Sequence, residues 1–212
     1  MTQNQLIYMA GLAVLIFWAV GAYNRLVRLK NTIANAFGQM DVELKRRYDL
    51  IASLVDAAKP YVGPEQAGQQ HAGQKHAGPE REVLDSVIAA KNQAKSASDS
   101  ARRRPTDSLA ITTLADAEQA LSNSLKQLFA LDDAYPELKA DSTIRELSQE
   151  LTSSENKVTF ARQAFNDAVL DYNQARGQFP ALLLAKLFTF VPAATLQAPE
   201  GGEDLKATRL AN

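Results

Sequence analysis

The stretch 143–177, TIRELSQELTSSENKVTFARQAFNDAVLDYNQARG, decides the fold. Ile144, Leu147, Leu151, Ser154, Val158, Ala161, Phe165, Ala168, Tyr172 and Ala175 follow one another in alternating steps of three and four. That spacing draws a single stripe along a helix and persists for about four and a half heptads. Thr143 followed by Glu146 has the pattern of a capping box at its start, and Gly177 is read as its end. A helix with one apolar stripe must lay it against others. Leu151, Val158, Phe165 and Tyr172 are therefore predicted to line the seam of a helical bundle.

Upstream, the same logic finds three more helices. Leu26, Leu29, Ile33, Phe37, Met40, Leu44, Tyr48, Ile51, Val55 and Ala58 form one stripe, and no proline occurs before position 60. Leu44, Tyr48 and Ile51 are its predicted seam residues, and the helix is expected to stop at Lys59 and Pro60. A second helix opens at Gly78–Pro79–Glu80, with proline suited to a first turn. Its stripe, Val83, Val87, Ala90, Ala94, Ala97 and Ala101, weakens into alanine. It ends in Arg102–Arg103–Arg104, a run that suits the negative end of a helix dipole, with attraction to anionic lipid as the alternative reading. A third is expected from about Pro105 to Tyr135 with Ala110, Leu114, Ala117, Leu121, Leu125, Leu128 and Leu131 inward; Pro136 pushes its neighbour out of the helical region. Four helices in sequence predict an all-α, antiparallel up-down-up-down four-helix bundle over 25–176. Residues 60–79, PYVGPEQAGQQHAGQKHAGP, repeat glycine every five positions and read as a flexible tip loop. Both histidines, His71 and His76, lie in that repeat; drift in a loop explains them better than a metal pair without carboxylate support.

Residues 1–24 are read as a transmembrane anchor. Residues 6–22, LIYMAGLAVLIFWAVGA, are an apolar run at the short end of the spanning range. Leu6, Leu12, Val14, Leu15, Ile16, Phe17 and Trp18 would meet the lipid, with Tyr8, Trp18 and Tyr23 as interfacial anchors. A cleaved signal peptide is disfavoured because no positive charge precedes the run. Arg25, Arg28 and Lys30 follow it, so the positive-inside rule places the amino terminus outside and the bundle in the cytoplasm. The span and the first helix should form one rod, reaching roughly 55 Å past the bilayer at 1.5 Å per residue.

Beyond the bundle, 177–192 is a short apolar segment whose core, ALLLAKLFTFV, is too short to span. Geometry returns the fourth helix to the membrane surface. Phe179, Leu183, Leu187, Phe188 and Phe190 are candidate contacts with the lipid interface, Lys186 staying with the headgroups. Capping the open end of the bundle, or packing on a second subunit, is the preferred alternative. Residues 193–212, mixed in charge and holding Pro and a Gly pair, are expected to be a disordered tail.

Composition narrows the chemistry. Twenty-three basic and 24 acidic residues give a net charge of −1, which argues against a dedicated nucleic-acid partner. No cysteine occurs, which removes disulfides, thiol nucleophiles and thiolate metal sites. No phosphate loop, HExxH or GxSxG is present. Asp41 with Glu43, and Asp132 with Asp133, fall on split helix faces or at a helix end and read as solvated. No catalytic residue, cofactor, metal or small-molecule substrate is expected. Asn156, Asn166 and Asn173 lie near the fourth helix's seam, where a buried amide would fix register or a partner.

Several blocks also carry a resemblance: FGQMDVELKRRYDLIASLVDAAKPY, EVLDSVIAAKNQAKSA, AYPELKAD, ELTSSENKVTFARQAFNDAVLDYNQARGQFP and LFTFVPA. With Arg47–Tyr48–Asp49–Leu50–Ile51, Ala134–Tyr135–Pro136, Glu155–Asn156 and Phe179–Pro180 in this order, the chain resembles the LemA family of bacterial membrane proteins over 25–59 and 80–192. Ala52–Ser53 departs from the Pro-Asn of relatives, and the His-Ala-Gly repeat has no counterpart. The resemblance implies an amino-terminal anchor in a bacterial inner membrane, an antiparallel helical bundle and no established catalysis. The function expected is a non-enzymatic membrane scaffold that forms a homo-oligomer or presents a helical surface to other membrane proteins. The alternative is a signalling or stress-linked adaptor, disfavoured as a direct sensor by the few residues before the span. Membrane shaping is a third and weaker reading.

Overall fold

The computed structural model describes residues 3–62, 79–132 and 140–197. Among these the chain is all-α, with five helices and no strand. α1 (Gln3–Val62) is 60 residues long, roughly 90 Å of continuous helix. It is long and apolar enough at its amino end to cross a membrane. α1 does not stop at Pro60 but runs to Val62. A proline so near the end disturbs only a carbonyl of the last turns, where the ladder is already running out. The rest of the glycine repeat, with His71 and His76, lies outside the described residues.

α2 (Pro79–Arg103) and α3 (Ser108–Asp132) form a hairpin. Leu84, not Val83, is the buried residue of the first turns of α2, and Val83 only flanks the core. From Val87 onward the stripe is buried at Ala90, Ala94, Ala97 and Ala101. α3 starts three residues later than expected because the Asp107 carboxylate accepts the Leu109 N–H at 3.1 Å and fixes the first turn there. Pro105 and Thr106 are left in the connecting turn. Ile111 joins Ala110, Leu114, Ala117, Leu121, Leu125 and Leu128 in the core. The Leu131 side chain and the Tyr135–Pro136 stop lie outside the described residues.

α4 (Ser142–Gly177) is capped by Asp141 and not by Thr143. The Asp141 carboxylate accepts the N–H groups of Thr143 at 2.7 Å and Ile144 at 3.2 Å. It also accepts the Tyr61 hydroxyl at 2.5 Å, which ties the start of α4 to the end of α1. Phe165 meets Phe37 edge-on at 5.5 Å between ring centres, and Ala175 clusters with Leu26. Residue numbers thus fall along α4 as they rise along α1. α4 packs along α1, while α2 packs on both α1 and α3. One core draws side chains from all four helices, including Leu44, Tyr48, Ile51, Leu151, Val158, Phe165 and Tyr172.

α5 (Ala181–Leu187) sits against α1 and α4. Its carboxyl end closes with Thr189 in the left-handed region, φ 54°, and Phe190 N–H bonded to the Ala185 carbonyl at 2.9 Å. That 6→1 bond is a Schellman closure carried by a threonine where glycine is usual.

The expected tail boundary at 193 is too early. Ala193 and Leu196 are buried in the main core. Asn173 clamps Ala193 with two bonds, Nδ2 to the carbonyl at 2.8 Å and Ala193 N–H to Oδ1 at 3.0 Å. Asn166 holds Leu196 in the same way, at 3.0 and 2.8 Å. The Tyr172 hydroxyl donates to Val191 O at 2.8 Å and Arg176 Nε to Phe190 O at 2.6 Å. Composition marked this segment as polar and loose; four side chains of α4 supply the backbone partners that its sequence alone does not reveal. Residues 198–212 lie outside the described residues. Asn156, by contrast, is exposed.

Candidate membrane-facing site

α1 changes character along its length. Ile7, Leu12, Val14, Leu15, Ile16, Phe17 and Trp18 are all exposed; the Leu6 side chain lies outside the described residues. From Leu26 onward the same helix buries one face and exposes the other. A helix that is apolar all round has no face suited to water, whereas a striped one has.

At the junction between the two parts sits the loop-and-helix segment that follows α4. Gln178, Phe179, Pro180 and Ala181 share a cleft with Trp18, Gly21, Ala22 and Arg25 of α1. Tyr23 meets Phe188 edge-on at 5.1 Å and Phe190 at 5.7 Å. α5 turns Ala185 into the small cluster with Leu26 and Ala175. Its other side is open: Phe179 is 81% exposed, Leu183 60%, Leu187 74% and Phe188 53%. Phe190 is the exception among the five candidate contacts. It is half-buried and packed against both clusters, held there by the bonds to Arg176 and Ala185.

The helical body holds a second feature, which the sequence reading missed. Asp41, read from the sequence as solvated, is buried, and so is Glu118. Asp41 accepts from Ser98 Oγ at 2.9 Å, Arg102 Nη1 at 3.0 Å and Lys45 Nζ at 3.0 Å; Lys45 also reaches Asp99 at 3.2 Å. The expectation that Asp41 is solvated is overturned, because these three donors replace its water. Glu118 on α3 accepts from Arg47 Nη1 at 2.7 Å and from the Tyr48 hydroxyl. Burial, then the Glu118 charge, pushes the Tyr48 hydroxyl far above the ordinary tyrosine range. Burial works against the Arg47 charge, but Glu118 and Glu155 outweigh it and keep the guanidinium protonated.

Each of these is an interhelical tie, and in the second the Arg47 Nε is left buried without a hydrogen-bond partner. Arg102 is committed to Asp41 and Arg104 to Asp107 at 3.2 Å, so two of the three arginines at the end of α2 already have carboxylate partners. Among the described residues no group of three or more His, Asp or Glu side chains is placed to hold a metal ion. The arrangement that faces outward is the apolar collar at the foot of the helices.

No curated protein matches the chain. The profile of the LemA family matches residues 36–208, from the middle of α1 through α5 and past the clamped segment. The match covers well over half of the sequence, and the chain belongs to the LemA family.

Proposed function

We propose that the protein is a non-enzymatic, single-pass membrane scaffold. Its four long helices form an antiparallel up-down-up-down bundle held at a fixed height above a bacterial cytoplasmic membrane. The observation that carries this reading is the continuity of α1, apolar and exposed up to Val20 and the spine of the core from Leu26. A helix cannot bend freely between the two parts, so an anchor of this kind sets where the body stands and how it is oriented. Arg25, Arg28 and Lys30 just past the apolar run favour the amino terminus outside and the body in the cytoplasm. Large apolar side chains on the outer faces, Phe160 at 70% and Leu109 at 75% exposed, support a role in contacting further copies or other membrane proteins.

Mass photometry and crosslinking of the full chain in nanodiscs test the reading. A closed homo-oligomer, or a defined complex with membrane proteins, is the expected result. A stable monomer that crosslinks to nothing overturns it. Anchoring is tested separately with Val14→Arg, since a central charge costs roughly 2.5–3.5 kcal/mol on insertion scales. Unchanged membrane fractionation of that variant removes the anchor from the proposal.

A further inference from the structure

The collar has a charge pattern that its apolar side chains do not explain. No Asp or Glu occurs in residues 1–40, and none between Asp171 and Glu200. These two stretches meet at the foot of the molecule, where α1 carries Arg25, Arg28 and Lys30, and α4 and α5 carry Arg176 and Lys186. Arg25, Arg28, Lys30 and Lys186 are exposed, and none of them has an ion pair among the described residues. Arg176 faces inward to a backbone carbonyl.

Height along α1 can be read from the contacts. The apolar run ends at Ala22, and α5 with its flanks touches α1 from Trp18 to Leu26. If residues 6–22 span the bilayer, α5 lies where hydrocarbon gives way to headgroups, and Arg25 to Lys30 stand roughly 5–12 Å above the end of the run at 1.5 Å per residue. Leu183 and Leu187 are one turn apart, on the side of α5 opposite the buried Ala185. Phe179 and Phe188 flank them. An outward apolar edge below free cations is the pattern of a segment lying in a membrane interface.

We infer that α5 with Phe179 and Phe188 is a second membrane contact, an interfacial wedge that gathers acidic phospholipid headgroups around Arg25, Arg28, Lys30 and Lys186. The inference rests on the proposal that α1 spans. The occupant is the bilayer that α1 itself enters. The continuity of exposed apolar surface from Trp18 to Phe179 and the absence of carboxylates from both stretches argue for it. The wedge also blocks rotation of α1 about its own axis, because a second point off that axis is held in the interface.

The chain has no cysteine, so single labels can be placed at will. Val14→Cys, Leu183→Cys, Leu187→Cys and Leu109→Cys are labelled with an environment-sensitive fluorophore. Each full-length protein is placed in nanodiscs with lipids brominated along the acyl chains. Quenching at 14, 183 and 187, with none at 109, is expected. Quenching at 14 alone overturns the wedge and leaves the anchor standing; quenching at none overturns both. Crosslinking of 183 to its equivalent in a second copy, without quenching, makes the face a subunit interface and overturns the wedge. Headgroup choice is read with spin-labelled phosphatidylglycerol against spin-labelled phosphatidylcholine. The preference for the acidic lipid should fall about five-fold for each charge removed in Arg28→Gln and Lys186→Gln. A preference unchanged in the double variant overturns the headgroup assignment.

Discussion

The α1–α4 pair and the α2–α3 hairpin solve the same packing problem with different materials. α1 and α4 bring Phe37, Met40, Phe165 and Tyr172, all fully buried. α2 brings Ala90, Ala94, Ala97 and Ala101. Burial of a large side chain stabilises by about 1.5–3 kcal/mol, and an alanine methyl by far less. Two buried carboxylates tie this hairpin to α1, one at the alanine stripe of α2 and one on α3, whose core residues are mostly leucines. Asp41 of α1 is tied to Ser98 and Arg102 of α2, and Glu118 of α3 to Arg47 and Tyr48 of α1. At the alanine stripe, where apolar area is scarce, charge-assisted hydrogen bonds to Asp41 fix position. Between α1 and α4 the polar tie lies at one end, from the Tyr61 hydroxyl to the Asp141 carboxylate.

The comparison breaks first at Glu118. Glu118→Ala strands the Arg47 charge and should cost about 3–5 kcal/mol in denaturant unfolding, the range for opening a buried pair. Arg47→Met combined with Glu118→Leu should recover part of that loss, since a buried pair set against an apolar one is often near neutral. A double variant no better than the single means the tie contributes net stability and not only register. Phe165→Ala tests the other material. It should cost about 3–5 kcal/mol, as buried phenylalanines do, and a loss under about 1 kcal/mol would show that area does not hold α4. Asn173→Ala is milder, about 1–2 kcal/mol from two lost bonds, with amide exchange at Ala193 accelerating before the rest of the chain.

The smallest effect is at Asp141. The Tyr61 hydroxyl, with the Ile144 and Thr143 amides, holds its carboxyl below the ordinary range. A lowered folded value means the contribution is complete above the unfolded value near 3.9 and fades as pH falls through the folded one. Asp141→Asn should therefore lower the melting temperature slightly at neutral pH, with the difference from the parent chain fading below about pH 4 so that the two profiles converge in acid. Melting curves from pH 2 to 6 check it.

The long helices and most of their inward faces were legible because their stripes repeat over several turns. The buried carboxylates also leave a mark in the sequence, as charged residues at stripe spacing. Asp41 lies between Phe37 and Leu44 in steps of four and three, Glu118 between Leu114 and Leu121 likewise, and Arg47 between Leu44 and Ile51. Apolar stripes drawn around these positions hid them. Asn166 and Asn173 raised the right question, a buried amide seeking a partner, but a pairing 20 and 30 residues away leaves no mark in local periodicity. Leu84 displaced Val83 because one turn at a helix start defines a face poorly.

The two asparagines also make a gauge. Seven helical residues advance about 10.5 Å, and three extended residues advance about 10 Å, so Asn166 and Asn173 meet Leu196 and Ala193 together. An amide grips any backbone that offers an N–H and a carbonyl, and is blind to what the residue is. Which residues occupy the clamp is decided by their side chains. A shift of one place in one direction sets Pro192, with no N–H to give, opposite Asn173; a shift in the other replaces buried Leu196 by Gln197. A proline and a leucine thus count the residues between the end of α5 and the clamp, and any insertion or deletion in that interval must strain the chain or release it.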